Sequence, residues 1–216
     1  VLLLFLAYQL WWTNLQAQSD QSTARRQLEQ QWAKPMPAMP APVHLNLNVG
    51  QHFAMLHIPK LRLTVPIAEG TDTKEVLDHG LIGHVEGSAF PADPVGNTVL
   101  AGHRNTHGEP FRHLPRMTPG DSVAVETATA FYQYTIRGTI PQTSPNNVAV
   151  LRAVPAESPF TGPGRYLTLM TCTPDYTSWY RFIAFAQLTG VQEKQPSGHP
   201  RPLRLLPTPR VAQARQ

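Results

Sequence analysis

A chain with 22 prolines in 216 residues is a poor candidate for a helical bundle. Proline lacks a backbone donor and clashes with the preceding helical turn, and here it occurs at about twice its usual frequency. Short strands, turns and extended connections remain, and residues 53–190 read that way. "FAMLHIPKLRLTVPIAEG" gives two short strands, with Pro59 and Pro66 confined to strand starts or edges. Asp72 caps a short helix that Gly80 stops, "GNTVLAGH" is a strand, and "EPFRHLPRM" allows one helical turn. "TPGDSVAVETATAFYQYTIRGTI" alternates as a hairpin folded around "TATA", whereas "NNVAVLRAV" fits a helical turn or a strand equally well. "RYLTLMTC" and "RFIAFAQLTG" form a last hairpin of apolar strands. About eight short strands and few helices predict a mostly antiparallel β-barrel or sandwich.

The flanks differ from this core. "VLLLFLAYQLWWTNLQAQ" opens with an apolar run shorter than the roughly 20 residues a bilayer requires. It begins on valine without a basic flank, and Trp11 and Trp12 followed by Thr13 and Asn14 fit the aromatic belt of a membrane surface. Residues 1–15 are read as the outer end of a truncated transmembrane signal anchor, with a cleaved signal peptide as the competing reading. Residues 16–52 are read as a solvated polar helical stalk, "QSDQSTARRQLEQQWA", and a proline-rich linker, "KPMPAMPAPV". Together these predict a single-pass cell-membrane protein whose globular domain is held away from the membrane on the extracellular side. The formal net charge of +4 is concentrated in residues 191–216, where Lys194, Arg201, Arg204, Arg210 and Arg215 face only Glu193. No aromatic is interleaved with these cations, so the base-stacking signature of a nucleic-acid binder is missing. The tail is read as disordered and basic.

The chain has a single cysteine, Cys172, which excludes an internal disulfide framework. It is either an inert buried thiol, the commoner case, or a reagent. Cys172 ends one strand of the last hairpin and Arg181 begins the next, so antiparallel pairing brings the two within a few ångströms. Arg181 heads the run Phe182–Phe185, where an unpaired charge is costly to bury. A cation there lowers a thiol pKa and can hold a developing oxyanion; an arginine capping a strand end in water is the alternative. Of nine histidines, His103 stands out because it ends "TVLAGH" after a glycine, with His107 as its chief competitor for a proton-transfer role.

"TLMTC" (Thr168 to Cys172), with Arg181 heading the next strand and "LAGHR" around His103, resembles the sortase family of cysteine transpeptidases. "IPKLRLTVPI" is similar to the opening strands of that fold, and the "YQLWWTN" and "TCTPDY" segments are most like class E sortases of high-GC Gram-positive actinobacteria. The resemblance covers roughly residues 53–190. It implies a closed eight-stranded sortase barrel with Cys172, His103 and Arg181 in its groove. The implied substrate is a sorting signal of Leu-Pro-X-Thr-Gly or Leu-Ala-X-Thr-Gly type, cleaved between Thr and Gly. The implied acceptor is an amine of a peptidoglycan precursor or a pilin. Thr171, Thr173, Tyr176 and Trp179 are candidate peptide contacts, with packing at a strand end an equal reading for the two threonines; Leu100 and Ala101, beside His103, are also candidates, although a core position suits them better. Arg104 either steadies the loop after His103 or is solvated. Asp121, Glu126 and Glu157 are isolated along the chain, which argues against the calcium site of some sortases, and no His/Cys set for zinc is apparent. No metal or cofactor is expected, and a monomer is. The rival readings are a cysteine hydrolase on the same barrel and a peptidoglycan cross-linking enzyme, whose Ser-His-Gly-Cys motif is absent because Thr171 precedes Cys172. The third is a catalytically silent tethered module.

Overall fold

The computed structural model describes residues 2–34, 46–194 and 204–205, with side chains from Trp12 onward in the first segment. The proline-rich linker and most of the basic tail lie outside the described residues. The strands are β1 (His52–Ile58), β2 (Leu63–Glu69), β3 (Ile82–His84), β4 (Gly96–Ala101), β5 (Ser122–Thr127), β6 (Ala130–Thr143), β7 (Arg165–Thr173), β8 (Tyr180–Glu193) and β9 (Arg204–Leu205). Their order is β6-β5-β1-β2-β3-β4-β7-β8-β9, and β6 also pairs with β8, closing β1 to β8 into an eight-stranded barrel. Two pairings are parallel, β2 with β3 and β4 with β7; the other ladders are antiparallel. Closure needs curvature, and the β6–β8 ladder slips register at Gln133/Tyr134, Ile136/Gly138 and Ile140/Thr143. Pro66 lies inside β2, but the β3 ladder starts one residue later, at Ile67, so its missing donor breaks no bond on that side.

Inward-facing residues such as Leu56, Val65, Ile67, Val125, Tyr134, Leu167, Leu169 and Ala184 fill the barrel. A satellite cluster of Val150, Ile183 and Phe185 packs on the outside of β8. The ambiguous "NNVAVLRAV" contains a 3-10 turn at Val148–Leu151, whose Val150 plugs that cluster. The short helix expected after Asp72 is a 3-10 turn at Leu77–His79, stopped by Gly80 at φ 72°. Asp72 still caps the segment, its Oδ1 accepting from the Lys74 and Glu75 amides. Within the tail, Arg204 and Leu205 form a short strand that pairs with Val191 and Gly190.

The largest departure from expectation is at the N-terminus. Helix α1 (Leu2–Trp32) is one continuous element, and its polar part is packed on the barrel, not solvated. Ala17, Ala24 and Leu28 are buried, with Ala24 in a small cluster with Ala68, Val76 and Leu81. The Gln21 amide donates to the Gly80 carbonyl at 2.6 Å, Asp20 pairs with His79 at 2.7 Å, and Asn14 Oδ1 accepts from the Gly108 amide at 2.9 Å. At the other end the Lys194 ammonium lies 4.0 Å from the Trp32 ring centroid. No helix among the described residues is long and apolar enough to cross a membrane.

Docking through alanines leaves no room for a large group. Ala24→Arg is expected to lift α1 from the barrel, because a guanidinium at a fully packed position is costly to desolvate. Hydrogen exchange should then show amides of residues 14–32 losing protection by at least about tenfold, with the barrel strands unchanged. Equal protection in variant and parent would refute the packing described above.

Candidate active site

Alternation along β7 decides where the thiol points. Leu167 and Leu169 face the barrel interior, so Met170 and Cys172 lie on the outer face, and Cys172 is a half-buried free thiol. In the β7–β8 ladder Cys172 stands directly opposite Arg181, which puts both side chains on the same face. The guanidinium of Arg181 is turned onto its own loop, donating to the Ser178 carbonyl at 2.9 Å and the Tyr180 carbonyl at 3.1 Å.

Strand register brings His103 to the same rim as Cys172. β4 and β7 run parallel with Ala101 opposite Met170, so residues two further along each strand, 103 and 172, come level at the same rim. Gly102 makes the approach possible. A Cβ there would meet Ile82 Cδ1 at 2.7 Å and Phe111 Cδ2 at 3.0 Å. The Gly102 amide also donates to Met170 O at 3.2 Å, and its carbonyl accepts from Thr171 Oγ1 at 2.8 Å. His103 and Cys172 line one groove of about 540 Å³ together with Arg104, Tyr176, Thr177 and Trp179. Tyr176 and Trp179 are 70% and 71% exposed, which leaves their rings free for an extended ligand.

Two further residues, not singled out as catalytic from the sequence, shape this rim. Asp78, from the 3-10 turn before β3, has Oδ1 3.0 Å from His103 Nε2 and 3.4 Å from His107 Nδ1. An ionised carboxylate there favours a proton on His103 Nε2, so Nδ1 is the nitrogen left for other partners. Burial pushes the His107 imidazole below its ordinary pKa, outweighing the opposing pull of Asp78, and His103 and His79 act in the same direction as burial. Arg104 clasps the end of β7. Its Nη1 donates to the Cys172 carbonyl at 3.2 Å and to Thr173 Oγ1 at 2.8 Å, and its Nε is 2.7 Å from the Asp175 carboxylate. Of the two sequence readings for Arg104, the one that holds is a tie between loop and strand.

Several candidate peptide contacts are relocated by the structure. Leu100 is fully buried in the barrel core and Ala101 is buried beside it, because every residue of β4 is covered on both faces. Thr171 is 2% exposed and spends its hydroxyl on Gly102. These three support the site from beneath and do not line the groove. Thr173 is half-buried at its edge, held by Arg104. Asp121, Glu126 and Glu157 stay apart, engaged by Lys60, by His57 and Lys194, and by Asn147 respectively.

Comparison with known proteins gives a consistent result. Residues 56–189 match the family model of the sortase domain. The chain is 47% identical over 208 residues to sortase SrtE1 of Streptomyces coelicolor, covering 94% of this chain and 56% of that protein. It is 32% identical over 197 residues to SrtE2 of the same organism, covering 88% of this chain and 77% of that protein. The chain thus spans little more than half the length of SrtE1. Among solved structures, sortase E1 from Streptomyces coelicolor with a tripeptide in its active site superposes with a TM-score of 0.66 at 51% identity, over 67% of this chain and 91% of that one. Sortase E from Streptomyces avermitilis superposes with a TM-score of 0.61 at 36% identity, over 68% and 93%. A closed barrel that brings one cysteine and one histidine to a common groove, with relatives of this identity over most of its length, leaves one assignment: the chain belongs to the sortase family.

Proposed function

We propose that this protein is a cysteine transpeptidase that cleaves a Leu-Pro-X-Thr-Gly or Leu-Ala-X-Thr-Gly sorting signal between Thr and Gly and joins the acyl fragment to an amine. The observation that carries the reading is the convergence of Cys172 and His103 on one open groove, with Arg181 opposite Cys172 in the strand ladder. The Cys172 thiolate attacks the threonine carbonyl carbon, forming a C–S bond and a tetrahedral oxyanion. Arg181, once released from the Ser178 and Tyr180 carbonyls, donates to that oxyanion. Collapse breaks the C–N bond, and protonated His103 gives its Nδ1 proton to the departing glycine amine. The bare Nδ1 then takes a proton from the incoming amine as it displaces sulfur. Asp78 acts through His103 as a positioning residue, and Tyr176 and Trp179 offer the rings that hold the peptide.

The acceptor amine belongs to a peptidoglycan precursor or a pilin in this reading. Residues 1–15 serve as the outer end of a single-pass anchor, placing the barrel at the extracellular face of a Gram-positive membrane. The test is incubation with Leu-Pro-X-Thr-Gly and Leu-Ala-X-Thr-Gly peptide libraries, with and without a glycine-based amine. Mass spectrometry should find an acyl adduct on Cys172 and a ligated product only when amine is present. Hydrolysed peptide as the sole product, even at saturating amine, would assign the groove to a hydrolase.

A further inference from the structure

The rim of the groove assembles a cluster that no stretch of sequence displays. Asp78, His103 and His107 each place one ligand-capable atom within 4.8 Å of the other two. The shared Asp78 oxygen lies 3.0 Å from His103 Nε2 and 3.4 Å from His107 Nδ1. Two ligands bound tetrahedrally to zinc at about 2.0–2.1 Å stand about 3.3 Å apart, so these spacings already suit an ion between them. His107 Nδ1 is buried and has no hydrogen-bond partner, a lone pair or N–H left unused beside a carboxylate. The three side chains are between 22% and 33% exposed, so an ion can enter from solvent. His79, which follows Asp78 in the chain, is occupied by Asp20. Two imidazoles and one carboxylate, with a fourth position open to water, are a donor set for zinc and its neighbours in the transition series and not for calcium or magnesium.

We propose that Asp78, His103 and His107 form a binding site for a divalent transition-metal ion of the zinc class, and that its occupation switches off acyl transfer. The second half rests on the transpeptidase reading; the first does not. The chemistry of the switch follows from which nitrogen the ion takes. A metal on Nε2 displaces the proton held there by Asp78. In a neutral ring that proton moves to Nδ1, and an imidazolium gives one proton to solvent. Either way Nδ1 carries the ring's only proton. It can accept no other, and donating it would create an imidazolate. Metal-bound His103 therefore cannot cycle between acid and base, although Cys172 is untouched.

Zinc and cobalt(II) chlorides are titrated into the full 216-residue chain without peptide, by calorimetry and by visible d–d absorption of the cobalt form. One ion per chain is expected, with affinity unchanged in Cys172→Ala. His107→Asn should bind at least about tenfold more weakly; asparagine is chosen because residue 107 has φ 51° and Asn tolerates that region. Asp78→Asn should weaken binding likewise, so a misfolded His107→Asn, recognised by circular dichroism, does not decide the matter. Absence of binding, loss of binding in Cys172→Ala, or undiminished binding in the folded ligand variants would overturn the site. Zinc should inhibit thiol acylation in the parent and not in His107→Asn, and inhibition that persists in that variant would overturn the switch. Because binding is read without peptide, failure of the transpeptidase assay leaves the metal result standing on its own.

Discussion

Cys172→Ala is expected to abolish formation of the acyl adduct and to lower kcat/KM by roughly 10⁴-fold or more, as removal of a covalent nucleophile does in acyl-transfer enzymes. The fold should be unaffected. Cys172 is half-buried on the outer face of β7, and its carbonyl, which Arg104 holds, is retained in the variant. Thermal unfolding should therefore move little while turnover vanishes, and peptide binding should survive because the rings of Tyr176 and Trp179 remain. The combination separates chemistry from assembly. A silent tethered module would show no adduct in the parent and no difference on substitution. Mass spectrometry of the parent and Cys172→Ala with the same peptide decides between them.

The second large effect concerns which cation serves the oxyanion. Two guanidinium groups flank the thiol in different ways: Arg181 lies across the ladder and Arg104 is bound to the carbonyl of Cys172 itself. Arg181→Ala is expected to reduce kcat by about 10²–10³, the usual cost of deleting one donor to a tetrahedral intermediate. Arg104→Ala should cost less, about tenfold, because it loosens the end of β7 and the Asp175 loop without removing a transition-state donor. Steady-state kcat and KM for both variants supply the test. The reverse order would transfer the oxyanion role to Arg104 and leave Arg181 as a clasp on the 174–179 loop.

The final hairpin was readable because two contiguous apolar runs flank one short turn, and the register that sets Cys172 opposite Arg181 follows from little else. His103 could be singled out but not placed. Its approach to Cys172 depends on the parallel β4–β7 register between strands far apart in sequence. Asp78 carried no local signal, since an aspartate in a short helical turn is ordinary until the loop after β4 folds over it. For Leu100 and Ala101, residue pattern alone could not separate groove from core. β4 is buried along its whole length, so period-2 alternation, which tells inside from outside on a half-exposed strand, is absent. The docking of α1 was hidden differently. Residues 14, 17, 21, 24 and 28 recur at helical spacing, but apart from Leu28 the face consists of alanines and the amides of Asn14 and Gln21, not a stripe of large apolar side chains.

Under the proposed anchoring through residues 1–15, that docking bears on how far the barrel stands from the membrane. A fully extended segment of residues 16–52 would allow an excursion on the order of 120 Å. The Asn14–Gly108 bond instead ties the fourth turn of the helix to the loop that carries His107, the residue before Gly108. Helical rise separates Trp12 from Asn14 by only about 3 Å. With residues 1–15 seated in a bilayer, the cleft would sit near the height of the lipid head groups. A client protein's signal would then be met as it emerges from the membrane plane, and not captured at arm's length in the wall.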